Sequence, residues 1–197
     1  MSDRPPITGG ILAGGRGSRM GGVDKGLVAF AGRPLIEQVV QGLAPQVDHL
    51  VINANRNLDR YRSLGFPVVS DRLEGHQGPL AGFAALMHAC EDPWLVTAPC
   101  DTPQIPPDLV ARLWAACAAE GCRIAVAHDG QRLQPAHALL DVSLLGDLED
   151  FLAAGERKID IWYARHPMVT VDFSDRAEAF LNLNRPEDYQ RFPEAHP

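Results

Sequence analysis

The chain has 197 residues, 46% of them apolar and 22% charged, with a formal net charge of −7. That length and composition suit one globular domain with a real core; the acidic excess argues against a large nucleic-acid surface, and no stretch approaches the roughly 18 consecutive apolar residues of a membrane span. The N-terminus MSDRPPITGG lacks a secretory apolar region, and Cys90, Cys100, Cys117 and Cys122 form no C-x-x-C pair, so the expectation is a cytoplasmic protein with neither a zinc site nor a thioredoxin motif.

In chain order, residues 7–14 (ITGGILAG) read as a short buried strand that ends in a glycine loop. Residues 34–43 read as a helix, with Pro34 in its first turn and Leu35, Ile36, Val39, Val40 and Leu43 at helical spacing. Strands follow at 49–54 and 66–71, with a short helix at 58–64 between them, closed by Gly65. An alanine-rich apolar helix spans 79–90, and WLVTAP (94–99) is a strand buried on both faces. Residues 107–120 form a helix stopped by Gly121, a common C-terminal signal. A strand at 123–130 turns, and 133–140 returns beside it. Helical patterns occupy 141–154 and 157–165, then a strand at 168–173 and a closing helix at 186–191.

Strands alternating with helices imply a three-layer α/β/α fold with a mainly parallel sheet. Ligands bind such sheets at the carboxyl ends of the strands. That rule brings together the loops at 14–26, 53–57, 71–79 and 99–106, which carry Arg19, Lys25, Asn53, Asp71 and Asp101.

The first of these loops, LAGGRGSRMGGVDKG (12–26), pairs glycines with Arg16, Arg19 and Lys25. Glycine exposes backbone N–H groups, and the cations add charge, which is how a phosphate is cradled. It is not a P-loop, because Asp24 precedes Lys25 and Gly26 follows it; nor is it a dinucleotide fingerprint, because Met20 stands where the third glycine belongs. On the loop alone, a nucleotide-phosphate site and a ligand-free surface loop both stand.

The run LAGGRGSRMGGVDKGL, followed by NANR (53–56), Asp71, GPLAG (78–82), PCDTP (99–103) and FLNLNRPED (180–188), resembles the molybdenum cofactor guanylyltransferase family, in order and over nearly the whole chain. The resemblance implies a nucleotidyltransferase-type fold in a single domain, 1–197, whose residues 1–106 mainly bind GTP and whose residues 107–197 mainly face molybdopterin. It implies transfer of GMP from GTP to molybdenum-bearing molybdopterin, with release of pyrophosphate. It also implies that Leu12, Ala13, Gly14 and Gly15 contact the nucleotide, that Lys25, Asn53, Asp71 and Asp101 complete the GTP site, and that Asp101 holds Mg²⁺. Arg19, Lys25 and Asp101 are then the catalytic group, and apo-molybdoenzymes or their chaperones are possible recipients of the product.

Those residue types suit that chemistry. Arg19 forks onto two phosphate oxygens, Lys25 acts as a point charge, and Mg²⁺ takes one or two carboxylates plus waters and phosphates. A terminal phosphate is already an anionic nucleophile, which agrees with the lack of a Ser-His-Asp or Cys-His pattern. Guanine offers N1–H and N2–H₂ to backbone carbonyls or Asp71, while Asn53 serves the base or the ribose. The related cytidylyltransferases carry LAAG where this chain has LAGG, and a glycine at 14 leaves room beside the base.

On the second-substrate side the resemblance implies Gly78, Gly82, Arg157, Lys158, Asn182 and Asn184. Each has a plainer reading beside it: a turn and helix start for the glycines, cations near a helix C-terminus, and asparagines capping the helix at Pro186. QPAHALL departs from the family's histidine-proline form, so His137 is read as structural. The rival functions are a cytidylyl- or sugar-type nucleotidyltransferase of the same fold and a non-catalytic nucleotide-binding chaperone.

Overall fold

A computed structural model describes residues 4–15, 24–72 and 78–183 of the chain. Its central strand, β1 (Ile7–Leu12), is buried along nearly its whole length, as a strand covered on both faces must be. Parallel neighbours flank it: β4 (His49–Asn53) on one side and β6 (Trp94–Pro99) on the other. The two-residue β5 (Val68–Val69) extends the sheet beyond β4. Past β6 lie β8 (Leu133–Asp141), β7 (Ile124–His128) and β9 (Met168–Asp172), giving the seven-stranded order β5-β4-β1-β6-β8-β7-β9 among the described residues. Only β8 runs against the others there, because it returns from β7 as a hairpin.

Alternate strand residues face opposite layers, the period of two that a pleated strand dictates. Val96, Ala125, Ala127 and Leu139 join the layer of α1 (Leu35–Leu43) and α4 (Leu109–Glu120). Leu95, Ile124, Val126 and Leu140 join that of α3 (Pro79–Ala89), α5 (Leu145–Ala153) and α6 (Ile159–Tyr163). The expected three layers with a mainly parallel sheet are therefore present. Among the described residues, no helix is long and apolar enough to cross a membrane.

Several boundaries move. Pro34 ends a small antiparallel ribbon, β2 (Ala29–Phe30) with β3 (Arg33–Pro34), and α1 begins at Leu35. The helical pattern at 141–154 opens with a tight turn, because the Asp141 carboxylate accepts the Ser143 N–H. A short α2 (Leu58–Arg62) occupies 58–64, and α6 shortens 157–165. α4 closes at Gly121, as expected. The closing helix expected at 186–191 lies outside the described residues.

Candidate active site

From β1 the chain passes to β4 and β5 on one side, then crosses to β6 on the other. The crevice between the ends of β1 and β6 is thus a topological switch point, where open α/β sheets take their ligands. The strand ends are level: Leu12 pairs with Asn53 of β4 and with Pro99 of β6. The backbone bonds continue past the strands, from the Ala13 N–H to the Asn53 carbonyl (2.8 Å) and from the Cys100 N–H to the Leu12 carbonyl (3.1 Å). Residues 12–14, 53–55 and 99–101 therefore form one platform.

Across the switch point the Lys25 ammonium donates to the Asp101 carboxylate at 3.1 Å. Both side chains are partly exposed, at 24% and 22%. Most of each side chain is nevertheless covered, so the pair is held in a defined place beside the switch point. The turn carrying Asp101 is stiff. Thr102 donates its hydroxyl to the Pro99 carbonyl at 3.2 Å, and the Leu183 N–H donates to the Asp101 carbonyl at 2.9 Å. His137 lies behind this turn, 3.0 Å from the Thr102 hydroxyl and edge-on to Phe180. Burial pulls its pKa down to about 3, so it is neutral at physiological pH, in keeping with a structural reading.

On the β4 side Asn53 donates to one oxygen of Asp71 at 2.9 Å. The sequence reading missed Asn55. Its carboxamide donates to the other Asp71 oxygen at 2.8 Å, accepts the Asp71 N–H at 2.9 Å and donates to the Gly14 carbonyl at 3.1 Å. The available signal was two asparagines at i and i+2, the first of them the last residue of a strand. This frame also corrects the reading of Gly14. A Cβ there would lie 2.7 Å from the Asn55 amide nitrogen and 2.8 Å from the Asn53 amide oxygen. The space beside Gly14 is filled by two carboxamides rather than left open for a base. Arg56, the last residue of the NANR motif, donates to the Gly15 carbonyl at 3.2 Å.

The five described second-substrate candidates do not form one group. Gly82 sits at the platform, where a Cβ would meet Leu12 and Asn53 at 2.7 and 2.8 Å. Asn182 directly precedes Leu183, which is bonded to Asp101. Gly78 lies near the Arg157 carbonyl, and the Arg157 guanidinium donates to the Leu152 carbonyl at 2.7 Å, near the end of α5. Lys158 is exposed at the start of α6. Arg19 and Asn184 lie outside the described residues.

Among the described residues no cluster of three or more His, Cys, Asp and Glu could cage a metal. A lone carboxylate at a strand end fits Mg²⁺, which keeps waters and shares substrate phosphates instead of demanding an all-protein site.

Residues 9–169 match the family model described as MobA-like NTP transferase domain. A protein from Shewanella loihica named molybdenum cofactor guanylyltransferase is 49% identical over 191 residues, covering 97% of each chain. One of the same name from Ralstonia nicotianae is 51% identical, covering 90% of this chain and 91% of that one. Among solved structures, molybdopterin-guanine dinucleotide biosynthesis protein A from Archaeoglobus fulgidus superposes with a TM-score of 0.77 at 25% identity, covering 93% of this chain and 95% of that one. A nucleotidyl transferase from Methanothermobacter shares the fold, with a TM-score of 0.73 at 21% identity over 94% of this chain and 95% of that one.

Proposed function

The chain belongs to the MobA-like NTP transferase family, and on that premise we propose that it transfers GMP from GTP to molybdenum-bearing molybdopterin and releases pyrophosphate. The observation that carries the reading is the Lys25–Asp101 pair, set 3.1 Å apart across the switch point with Asn53 and Asp71 framed beside it. One side offers charges for a triphosphate, the other hydrogen-bonding groups for a nucleoside.

A phosphate oxygen of molybdopterin attacks the α-phosphorus of GTP. A new P–O bond forms there, and the bond from the α-phosphorus to the oxygen bridging to the β-phosphate breaks, so the electron pair leaves with pyrophosphate. The nucleophile is anionic already, and catalysis is alignment and charge screening. Lys25 turns its ammonium from Asp101 to the phosphates. Backbone N–H groups of Gly14 and Gly15 and, from the same loop, Arg19 take further oxygens, while Leu12 and Ala13 line the nucleotide. Asp101 holds Mg²⁺, which when bound screens the triphosphate and strengthens the leaving group. Asp71 keeps each oxygen on one amide donor. A carboxylate has about four lone-pair positions, so it retains acceptors for the guanine N1–H and N2–H₂. Gly78, Arg157, Lys158, Asn182 and Asn184, with residues 107–197 generally, are assigned to the molybdopterin side, and Gly82 to the seam with the nucleotide. Cytoplasmic location and delivery of the product to apo-molybdoenzymes belong to the same proposal.

Pyrophosphate release with Mg²⁺, loaded molybdopterin and GTP, CTP or ATP in competition is the test. GTP is expected to dominate. A CTP preference overturns the guanylyl assignment, and nucleotide binding without turnover overturns the transferase.

A further inference from the structure

The residue before Lys25 is a carboxylate with only 8% of its surface exposed. One oxygen of Asp24 accepts the Tyr61 hydroxyl at 2.5 Å, and the other accepts the Asn57 side-chain N–H at 3.0 Å. Tyr61 is completely buried on α2. Burial first, and the bond to Asp24 second, raise its pKa far above the usual tyrosine range, so the hydroxyl remains a donor. It packs in the same cluster as Ala13, Ala54 and Cys100, the residues that directly follow β1, β4 and β6. Tyr61 thus stands beneath the platform and reaches out to the loop.

The loop is held on both sides of Lys25. Asp24 bonds to Tyr61 before it. After it, a Cβ on Gly26 would lie 2.5 Å from the Tyr61 hydroxyl oxygen, so only glycine lets the backbone pass. The turn closes with the Leu27 N–H on the Asp24 carbonyl and the Val28 N–H on the Lys25 carbonyl, both at 3.1 Å. A buried carboxylate is a poor device for stability, since desolvation offsets much of what its partners return. It is a good device for fixing geometry.

We infer that Tyr61, acting through Asp24 with Asn57 as the second donor, is a positioning residue that clamps the backbone of Lys25 to the platform. The ammonium then pivots from Asp101 to the nucleotide phosphates while its main chain stays in place. This rests on the guanylyl-transfer reading for its ligand.

The test is a double-mutant cycle of Tyr61→Phe and Lys25→Met, read by calorimetric binding of Mg²⁺–GTP and by kcat/KM for transfer. Alone, Tyr61→Phe is expected to lower both about tenfold, as loss of a hydrogen bond to a charged group does. In the Lys25→Met background it should change them less than twofold, because its effect runs through Lys25. Equal losses in both backgrounds, or a lowered melting temperature with binding intact, overturn the clamp. The two readings fail separately: a wild type that binds GTP but transfers nothing sinks the function, and the binding cycle still decides the clamp. A wild type that binds no GTP removes both. If Tyr61→Phe does not fold, Asn57→Gly suits that residue's φ of +51° and removes only the second donor. The same dependence on Lys25, at smaller size, is expected there, and additivity overturns the clamp.

Discussion

Asp71, beside β4, and Asp147, on α5, each gather several donors, yet the two clusters are built to different ends. Asp71 is framed by two neutral carboxamides, those of Asn53 and Asn55. Asp147 takes the indole N–H of buried Trp162 at 2.9 Å, His166 at 2.9 Å and Arg165 at 2.8 Å. Burial opposes ionisation of Asp147, but the Trp162 bond and the Arg165 and His166 charges outweigh it and hold the group below the usual carboxylate range. The Asp147 carboxylate is paired with the Arg165 cation, and it fastens α6 to α5. The Asp71 carboxylate takes two neutral amide donors and has lone pairs to spare. Counting hydrogen bonds does not separate a strut from a site; the charge and capacity left over do.

The largest break in that contrast comes from Asp101, whose carboxylate accepts the Lys25 ammonium at the switch-point crevice. Asp101→Ala should cut kcat by roughly 10²–10³-fold, the scale of losing one preorganised electrostatic contact, and saturating Mg²⁺ should not restore it. Near-normal turnover at high Mg²⁺ counts against the metal role. Because the pair is only partly exposed, the melting temperature is measured beside kcat, and a loss of turnover with the fold intact is the expected result.

A crossed pair of variants sharpens the comparison further. Asn55→Ala should raise the KM for GTP about tenfold by freeing Asp71 and the Gly14 carbonyl, with little change in melting temperature. Asp147→Ala should do the reverse. It strands the buried Trp162 indole N–H, at about 1–3 kcal/mol, which is a drop of several degrees in a domain of this size, and leaves the GTP KM unchanged. A shifted GTP KM in Asp147→Ala, or a lowered melting temperature with unchanged KM in Asn55→Ala, erases the distinction.

The sequence reached the platform because its strands are short apolar runs buried on both faces. WLVTAP matches β6 in full, and the switch-point rule brings Lys25 and Asp101 to one crevice, where they pair. It missed the ribbon at 29–34, since two-residue strands have no period to detect. It also missed Asn55 and Tyr61. Asn55 meets a partner 16 residues away, and Tyr61 one 37 residues away; neither separation is a local pattern. Within α2, Tyr61 reads as one more core aromatic until the burial of Asp24 is known. The LAGG comparison left out the neighbours of Gly14, because the carboxamides that fill the space beside it come from the end of another strand.

The opposite end of the sheet supplies the smallest effect. At the base of β1, β4 and β6, buried Asp92 accepts the Thr8 hydroxyl at 2.6 Å and pairs with His49 at 2.8 Å. The hydrogen bond to Asp92, and then its charge, raise the His49 pKa above the ordinary histidine value. Because the folded state binds this proton more tightly than the unfolded chain, the pair's stabilisation is complete below the unfolded histidine pKa of about 6.5. It fades as pH rises through the raised value. His49 is solvent-exposed, so the change is small. Melting temperature should decline slightly over that window in the wild type and stay flatter in His49→Gln, while the GTP KM shows no such difference between the two. A His49→Gln variant that alters GTP binding would mean that the two ends of the central strands are coupled, and that the platform is less rigid than its level strand ends imply.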